Sequence, residues 1–245
     1  MPRFLNPCAD SIGYVHFTWN PVTGCEHGPD VCSCSNICWA RTMAKRFGKT
    51  EDEKNFKPTF HPERLAARFD LIPPSNIFVC DMGDLFGDWV PKEWINEVIK
   101  TALENGKHLF LFLTKNPDRY NNYLFPSNCW IGTSITNPSE LYRIEQLHGG
   151  PFSNYGYKEK HFVSFEPLLE KISYDDLARH NWGNIHWAII GGFSGNRKQS
   201  NPDCYPEIYA LYLKRFFEKF KIPVFIKDNL NFKNPLKQFP EGLKI

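Results

Sequence analysis

Seven short apolar segments punctuate the chain, and most of the stretches between them carry helical spacing; this alternation restricts the fold more than any other feature. The segments are YVHFTW (14–19), NIFVC (76–80), HLFLFL (108–113), CWIGT (129–133), HFVSF (161–165), HWAIIGG (186–192) and PVFIK (223–227). Rich in Val, Ile, Phe and Trp, they read as strands. Helical patterns start at Trp39, His61, Pro91, Pro138 and Pro206, the last three opening on a proline suited to a first turn. In the pattern from Pro91 to Gly106, Trp94, Ile95, Val98, Ile99, Ala102 and Leu103 share one face, and Lys92, Glu93, Lys100 and Glu104 face away.

Strand alternating with helix implies parallel pairing through right-handed crossovers. The predicted fold is α/β, a partial (β/α) TIM-like barrel of six or seven mainly parallel strands, with a doubly wound sheet as the structural alternative. No internal repeat, low-complexity tract or linker-like composition divides residues 1–245, so a single domain is expected, with a cysteine-rich loop at 20–40.

Polar or small residues follow each apolar segment, and in parallel α/β folds sites are built at the carboxyl ends of strands. The candidates are Asn20; Asp81 and Asp84; Thr114 and Lys115; Thr133 and Ser134; Ser164 and Glu166; Gly191, Gly192 and Ser194; Lys227 and Asp228. Loops are polar in any case, but the TK, FEP, GGFSG and IKD groups directly abut strongly apolar strands.

Four of the eight cysteines, Cys25, Cys32, Cys34 and Cys38, crowd into fourteen positions after the first segment. Soft sulfur ligands so close together suit zinc or an iron–sulfur cluster. Zinc takes four ligands in a closed tetrahedron. Its sites usually show two close pairs, whereas here a single residue separates Cys32 from Cys34, and three ligands plus a bystander fit more easily. A four-iron cluster held by three thiolates leaves one iron open to a chelating ligand. Cys8, Cys80, Cys129 and Cys204 have no such company and read as packing residues.

The blocks FTWNPVTGC, CWARTMAKRF, HPERL, DMGDLFGDWVP, LTKNPDRY, FVSFEPLL and IIGGFSG, in this order from Phe17 to Lys227, resemble the phage- and prokaryote-associated three-cysteine-motif family of unknown function, which in turn resembles radical S-adenosylmethionine (SAM) enzymes. The resemblance implies a [4Fe-4S] cluster in the cysteine loop of a partial barrel, SAM as second cofactor and an external electron donor. Cys25 matches the first ligand and Cys38 the last; Cys34 is the middle ligand, with Cys32 as its substitute, because residues 28–37 depart from the usual spacing. Asp81 and Asp84 are then placed to meet the cationic end of SAM, and Lys115 or Lys227 its carboxylate. Thr114, Ser134, Ser164, Gly191 and Gly192 complete the expected cofactor-binding set. Glu166 and Lys115 are the catalytic candidates, with Glu166 positioned to bind substrate or move a proton.

Composition narrows the field without naming a substrate. The net charge, 29 − 27 = +2, is spread rather than blocked, and the basic groups Arg41, Lys45, Arg46, Lys49 and Lys214, Arg215, Lys219, Lys221 read as solvated helix faces. The longest apolar run, Leu109 to Leu113, is far short of the roughly 20 residues of a membrane span. The amino-terminal segment lacks signal-peptide character, so a reducing cytoplasm is expected. The alternative function is a zinc-stabilised nucleic-acid-binding module without radical chemistry, with Trp39 and Trp89 for stacking. A third reading, a metal-free hydrolase using Glu166 and Asp81, leaves the cysteine loop unexplained.

Overall fold

The computed structural model describes residues 4–8, 12–148, 160–193, 205–230 and 232–243. Eight strands form one sheet: β1 (Leu5–Pro7), β2 (Phe17–Trp19), then, after a two-stranded ladder of β3 (Val22–Thr23) and β4 (Thr59–Phe60), β5 (Asn76–Val79), β6 (Leu109–Thr114), β7 (Cys129–Ser134), β8 (Lys160–Phe165), β9 (Ile185–Ile190) and β10 (Val224–Ile226). Every apolar segment singled out in the sequence contributes a strand. From β2 to β10 all neighbours pair in parallel, and only β1 runs antiparallel, against β2.

Strand order in the sheet equals order in the chain. A doubly wound sheet needs a reversal of strand order at a switch point, so this topology rejects that alternative and leaves a partial barrel. β1 and β10 are the sheet's two edges, and the barrel is open between them.

The helices are α1 (Trp39–Phe47), α2 (Glu51–Lys54), α3 (Lys92–Glu104), α4 (Arg143–His148), α5 (Tyr174–Ala178) and α6 (Pro206–Lys219). In α3, Ile95, Val98, Ile99 and Ala102 are buried as the spacing predicts, but Leu103 is 62% exposed, because it falls at the edge of the stripe. The pattern from His61 closes only a 3-10 turn, Pro62–Ala66, and that from Pro138 breaks into a 3-10 turn, Pro138–Glu140, and the short α4. Both runs are too short for an α-helix that propensity alone sustains.

Successive side chains on a strand face opposite ways, and the apolar residues divide accordingly. Phe78, Leu111, Trp130, Phe162, Trp187, Ile189 and Phe225 join Tyr14, Val15 and Leu243 in one buried cluster, the barrel interior. The intervening Ile77, Val79, Phe110, Phe112, Ile131, Val163, Phe165, Ala188 and Ile190 pack with the helices. Interior aromatics meet mostly edge to face, as in Tyr14 against Trp187 and Phe225, each 5.6 Å between ring centres. Carried past the strand ends, the interior parity falls on Cys80, Lys115, Ser134, Glu166, Gly191 and Lys227. Among the described residues, no helix is long and apolar enough to cross a membrane.

Candidate functional site

The cysteine loop is fastened to the strand ends at three places. The first is a glycine contact. Gly24 N–H donates to the Met82 carbonyl at 2.9 Å, and Gly24 bridges Gly83 in parallel register. A Cβ on Gly83 would stand 2.7 Å from the Gly24 oxygen, and one on Gly24, whose φ is +89°, would stand 2.1 Å from the Lys57 carbonyl. Only glycine lets three backbones approach this closely with that φ. The glycine of TGC therefore sets where Cys25 starts.

The second fastening is a buried charge pair that the sequence did not single out. Arg143, 0% exposed, donates to the carbonyls of Ser134 at 2.6 Å and of Val31 in the loop. Its partner Glu140, at 3.1 Å, accepts from Ser33 Oγ at 3.1 Å and from Thr136 N–H at 2.6 Å. Asn137 donates to Ser33 Oγ at 2.7 Å. Residues 31–33 thus dock on the segment after β7. In sequence, Glu140 and Arg143 look like ordinary i, i+3 helix charges, and nothing local marks them as buried.

Asp84 ties the loop to β6. Its carboxylate accepts from His27 Nε2 at 2.9 Å, Thr114 Oγ1 at 2.7 Å, Lys115 N–H at 3.0 Å and Phe86 N–H at 3.0 Å. Burial alone would raise its pKa, but the hydrogen bonds, led by His27, hold it below the usual carboxylate value. His27 in turn stands edge-on to Trp89, 4.7 Å between ring centres. Asp84 and Thr114, both expected to hold cofactor, have their polar atoms engaged within the protein.

Held this way, Cys25, Cys32, Cys34 and Cys38 all line one cavity of about 180 Å³, with Cys80, Asp81, Lys115 and Ser134 opposite them. Cys32 and Cys34 sulfurs lie 3.3 Å apart, and the hydrogen bond between them lowers the pKa of Cys34 while raising that of Cys32. Burial, with Asp84 nearby, pushes Cys25 up to about 12. Cys38 caps α1, its sulfur accepting from Arg41 N–H at 3.4 Å. Arg41 also donates to the Cys25 carbonyl at 3.2 Å, joining the two ends of the loop. Burial works to lower the pKa of Lys115, but Cys34 and Cys32 hold it above the usual lysine value. Among the described residues, no three His, Cys, Asp or Glu side chains converge tightly enough to hold a single metal ion.

A second cavity of about 600 Å³ adjoins the first and shares Phe78, Asp81 and Leu113 with it. Asp81 accepts from Asn20 Nδ2 at 2.6 Å; burial nonetheless raises its pKa against the pull of that bond and of Thr18. Across the cavity, Lys227 Nζ donates to Glu166 Oε1 at 2.5 Å, and Asn229 Nδ2 to the same oxygen at 3.3 Å. The two catalytic candidates are therefore separated: Lys115 faces the thiols, Glu166 the larger cavity. Gly191 leaves room for that ion pair, since a Cβ there would stand 2.8 Å from Glu166 Cδ and 3.0 Å from Lys227 Cδ. Gly192 exchanges hydrogen bonds with the Asn229 side chain at 2.9 and 3.0 Å. Ser164 is buried in the wall and lines neither cavity. Cys80 is buried with a left-handed φ of +60°, and Cys129 is buried in the core. Cys8, expected to be a packing residue, is half-buried and lines the larger cavity, because β1 pairs on β2 and brings it there. Ser194 and Cys204 lie outside the described residues.

The family model described as "Protein of unknown function (DUF5131)" matches residues 9–233. The chain belongs to this family. No curated protein matches it. Among solved structures, spore photoproduct lyase complexed with dinucleoside spore photoproduct is similar at a TM-score of 0.55 and 10% identity, covering 91% of this chain and 79% of that one. A cysteine-to-alanine variant of the same lyase, with the same dinucleoside, aligns at a TM-score of 0.52 and 9% identity, covering 86% and 76%. The likeness is one of fold: this chain is a partial, TIM-like (β/α) barrel, present here as an open sheet.

Proposed function

We propose that this DUF5131 protein is a radical SAM enzyme that holds a [4Fe-4S] cluster in its cysteine loop. The observation that carries the reading is that all four loop cysteines line one cavity at the carboxyl ends of β5, β6 and β7. Three thiolates suit a cubane, whose irons each take a separate ligand and leave one iron open, whereas a structural zinc site needs all four. Cys25, Cys34 and Cys38 are the proposed ligands. Cys32, which supports Cys34 by hydrogen bonding at 3.3 Å, is the bystander.

Cys25, Cys34 and Cys38 would hold the cluster, which, reduced by an external donor, would supply the single electron for reductive cleavage of SAM. The chain's own residues bind, orient and exclude water. Lys115 offsets the negative charge of the thiolate set, and Asp81, shared by both cavities, is positioned for the cationic end of SAM. Phe78 and Leu113 keep the junction apolar. Asp84 and Thr114 act as positioning residues through the network around His27. Glu166 and Lys227 face the larger cavity, on the substrate side.

Anaerobic reconstitution with iron and sulfide analysis tests the cluster: about four irons per chain are expected. A colourless protein with one zinc would reject the reading in favour of a zinc-stabilised module. Incubation of reduced protein with SAM tests the chemistry, with 5′-deoxyadenosine as the product. Iron without that product would leave the cluster standing and reject the radical step.

A further inference from the structure

The larger cavity has a polar end with unused hydrogen-bonding capacity. Glu166 Oε1 takes the bonds from Lys227 and Asn229, while among the described residues Oε2 has no partner and Lys227 Nζ donates only one hydrogen bond. Among the described residues, a carboxylate oxygen without a partner thus sits beside an ammonium with N–H groups to spare. The complement of that pair is an N–H next to a carbonyl, as on the imide edge of thymine or uracil or the N1–H and O6 edge of guanine. The cavity's other walls suit a flat ring. Ile12, Phe78 and Leu113 are apolar, and Trp39, 40% exposed, stands at the mouth.

The cavity does not end at Trp39. Asn6, Asn20, Trp39 and Met82 line both it and a groove of about 510 Å³ beside α1. Lys49, Lys57 and Arg64 line that groove against one carboxylate, Glu53, which is occupied by the N–H groups of Lys49 at 2.6 Å and Thr50 at 3.1 Å. Lys57 also pairs with Asp52 at 2.8 Å, but both are well exposed, and such a pair holds a lysine only weakly. A cationic groove opening past an exposed indole into a hydrogen-bonding pocket has the chemistry of a nucleotide site.

We infer that the mouth cavity and the α1 groove together take a nucleotide unit whose base carries an N–H beside a carbonyl. The base stacks at Trp39 and presents that edge to Glu166 and Lys227, and the phosphate lies toward Lys49, Lys57 and Arg64. The inference rests on the radical SAM reading only in making this unit the substrate; binding itself needs neither cluster nor SAM.

Fluorescence anisotropy with labelled single-stranded oligonucleotides tests it. Oligothymidine is expected to bind about tenfold more tightly than oligoadenosine, the size of one good edge contact. N3-methylation of the thymines, or Glu166→Gln, should remove that preference. Lys49→Glu combined with Lys57→Glu should weaken both strands alike and flatten their salt dependence. Trp39→Ala, at a partly exposed position that the fold tolerates, should weaken oligothymidine about tenfold. Competition by thymidine monophosphate would identify a free nucleotide as sufficient; competition by strands alone would identify a polymer. Equal affinity for the two strands, a preference that survives Glu166→Gln, or no binding at low salt overturns the inference. Iron content and 5′-deoxyadenosine formation are measured separately, so nucleotide binding can fail while the radical reading stands, and the reverse.

Discussion

The two cavities at the carboxyl end of the barrel are built in opposite ways. The thiol cavity is lined by a loop whose backbone is locked from both sides, by the Gly24–Gly83 approach and by the buried Glu140–Arg143 pair. Its side chains are the variable part of a fixed frame, and Asp84 spends both oxygens on holding it. The larger cavity is lined by side chains rising directly from strand ends, and among the described residues Glu166 Oε2 and Lys227 Nζ are left with capacity to spare. A frame with no slack suits a group that must stay in one geometry; spare donors and acceptors suit a ligand that comes and goes.

Substitutions on the two sides should therefore fail differently. The largest expected effect is on metal loading: Cys38→Ala should take iron from about four per chain to near none, whereas Glu166→Gln should leave it unchanged. Equal loss from both would erase the distinction between the cavities. Next, Arg143→Met leaves Glu140 buried and unpaired and should cost about 3–5 kcal/mol in urea unfolding, with the paired change Arg143→Met, Glu140→Met recovering much of it.

Gly24→Ala forces a Cβ against the Lys57 carbonyl at positive φ and should cost about 3 kcal/mol, more than Gly191→Ala, whose Cβ meets the movable ends of Glu166 and Lys227. The smallest effects are pH-dependent and of opposite sign. Asp84 titrates below its unfolded value of about 3.9. Its stabilisation, read against Asp84→Asn, should be complete above that pH and vanish as pH falls through the folded value. Asp81 titrates above its unfolded value. Read against Asp81→Asn, the wild type should lose stability as pH rises from about 4 through the folded value. Unfolding both variants across pH measures the two slopes, and slopes of the same sign would contradict the contrast between the carboxylates.

Much of the frame was legible in the sequence because period-two burial and helical spacing are local signals. All seven apolar segments became strands, and of the polar residues at their ends, Asp81, Asp84, Thr114, Lys115, Ser134, Glu166 and Lys227 line the two cavities. What the sequence concealed depends on contacts between distant residues. Arg143 reaches Val31 across 112 positions, and Ser33 reaches Glu140 across 107. No window around either residue carries that information. Strand β1 was missed because three residues containing a proline show no alternation. The division of Lys115 from Glu166 was hidden for a related reason: strand-end position fixes the rim of the barrel but not which of two adjoining cavities a long side chain enters.

The identity of spatial and chain order in the sheet bears on how the protein is made. As the polypeptide leaves the ribosome, each parallel strand from β5 onward emerges to find its neighbour already synthesised, so the wall can grow rung by rung from one edge. The cysteine loop, threaded out after the second rung, meets Gly83, Asp84 and Arg143 only as later segments arrive, so its thiols cannot gather until the segment after β7 has emerged.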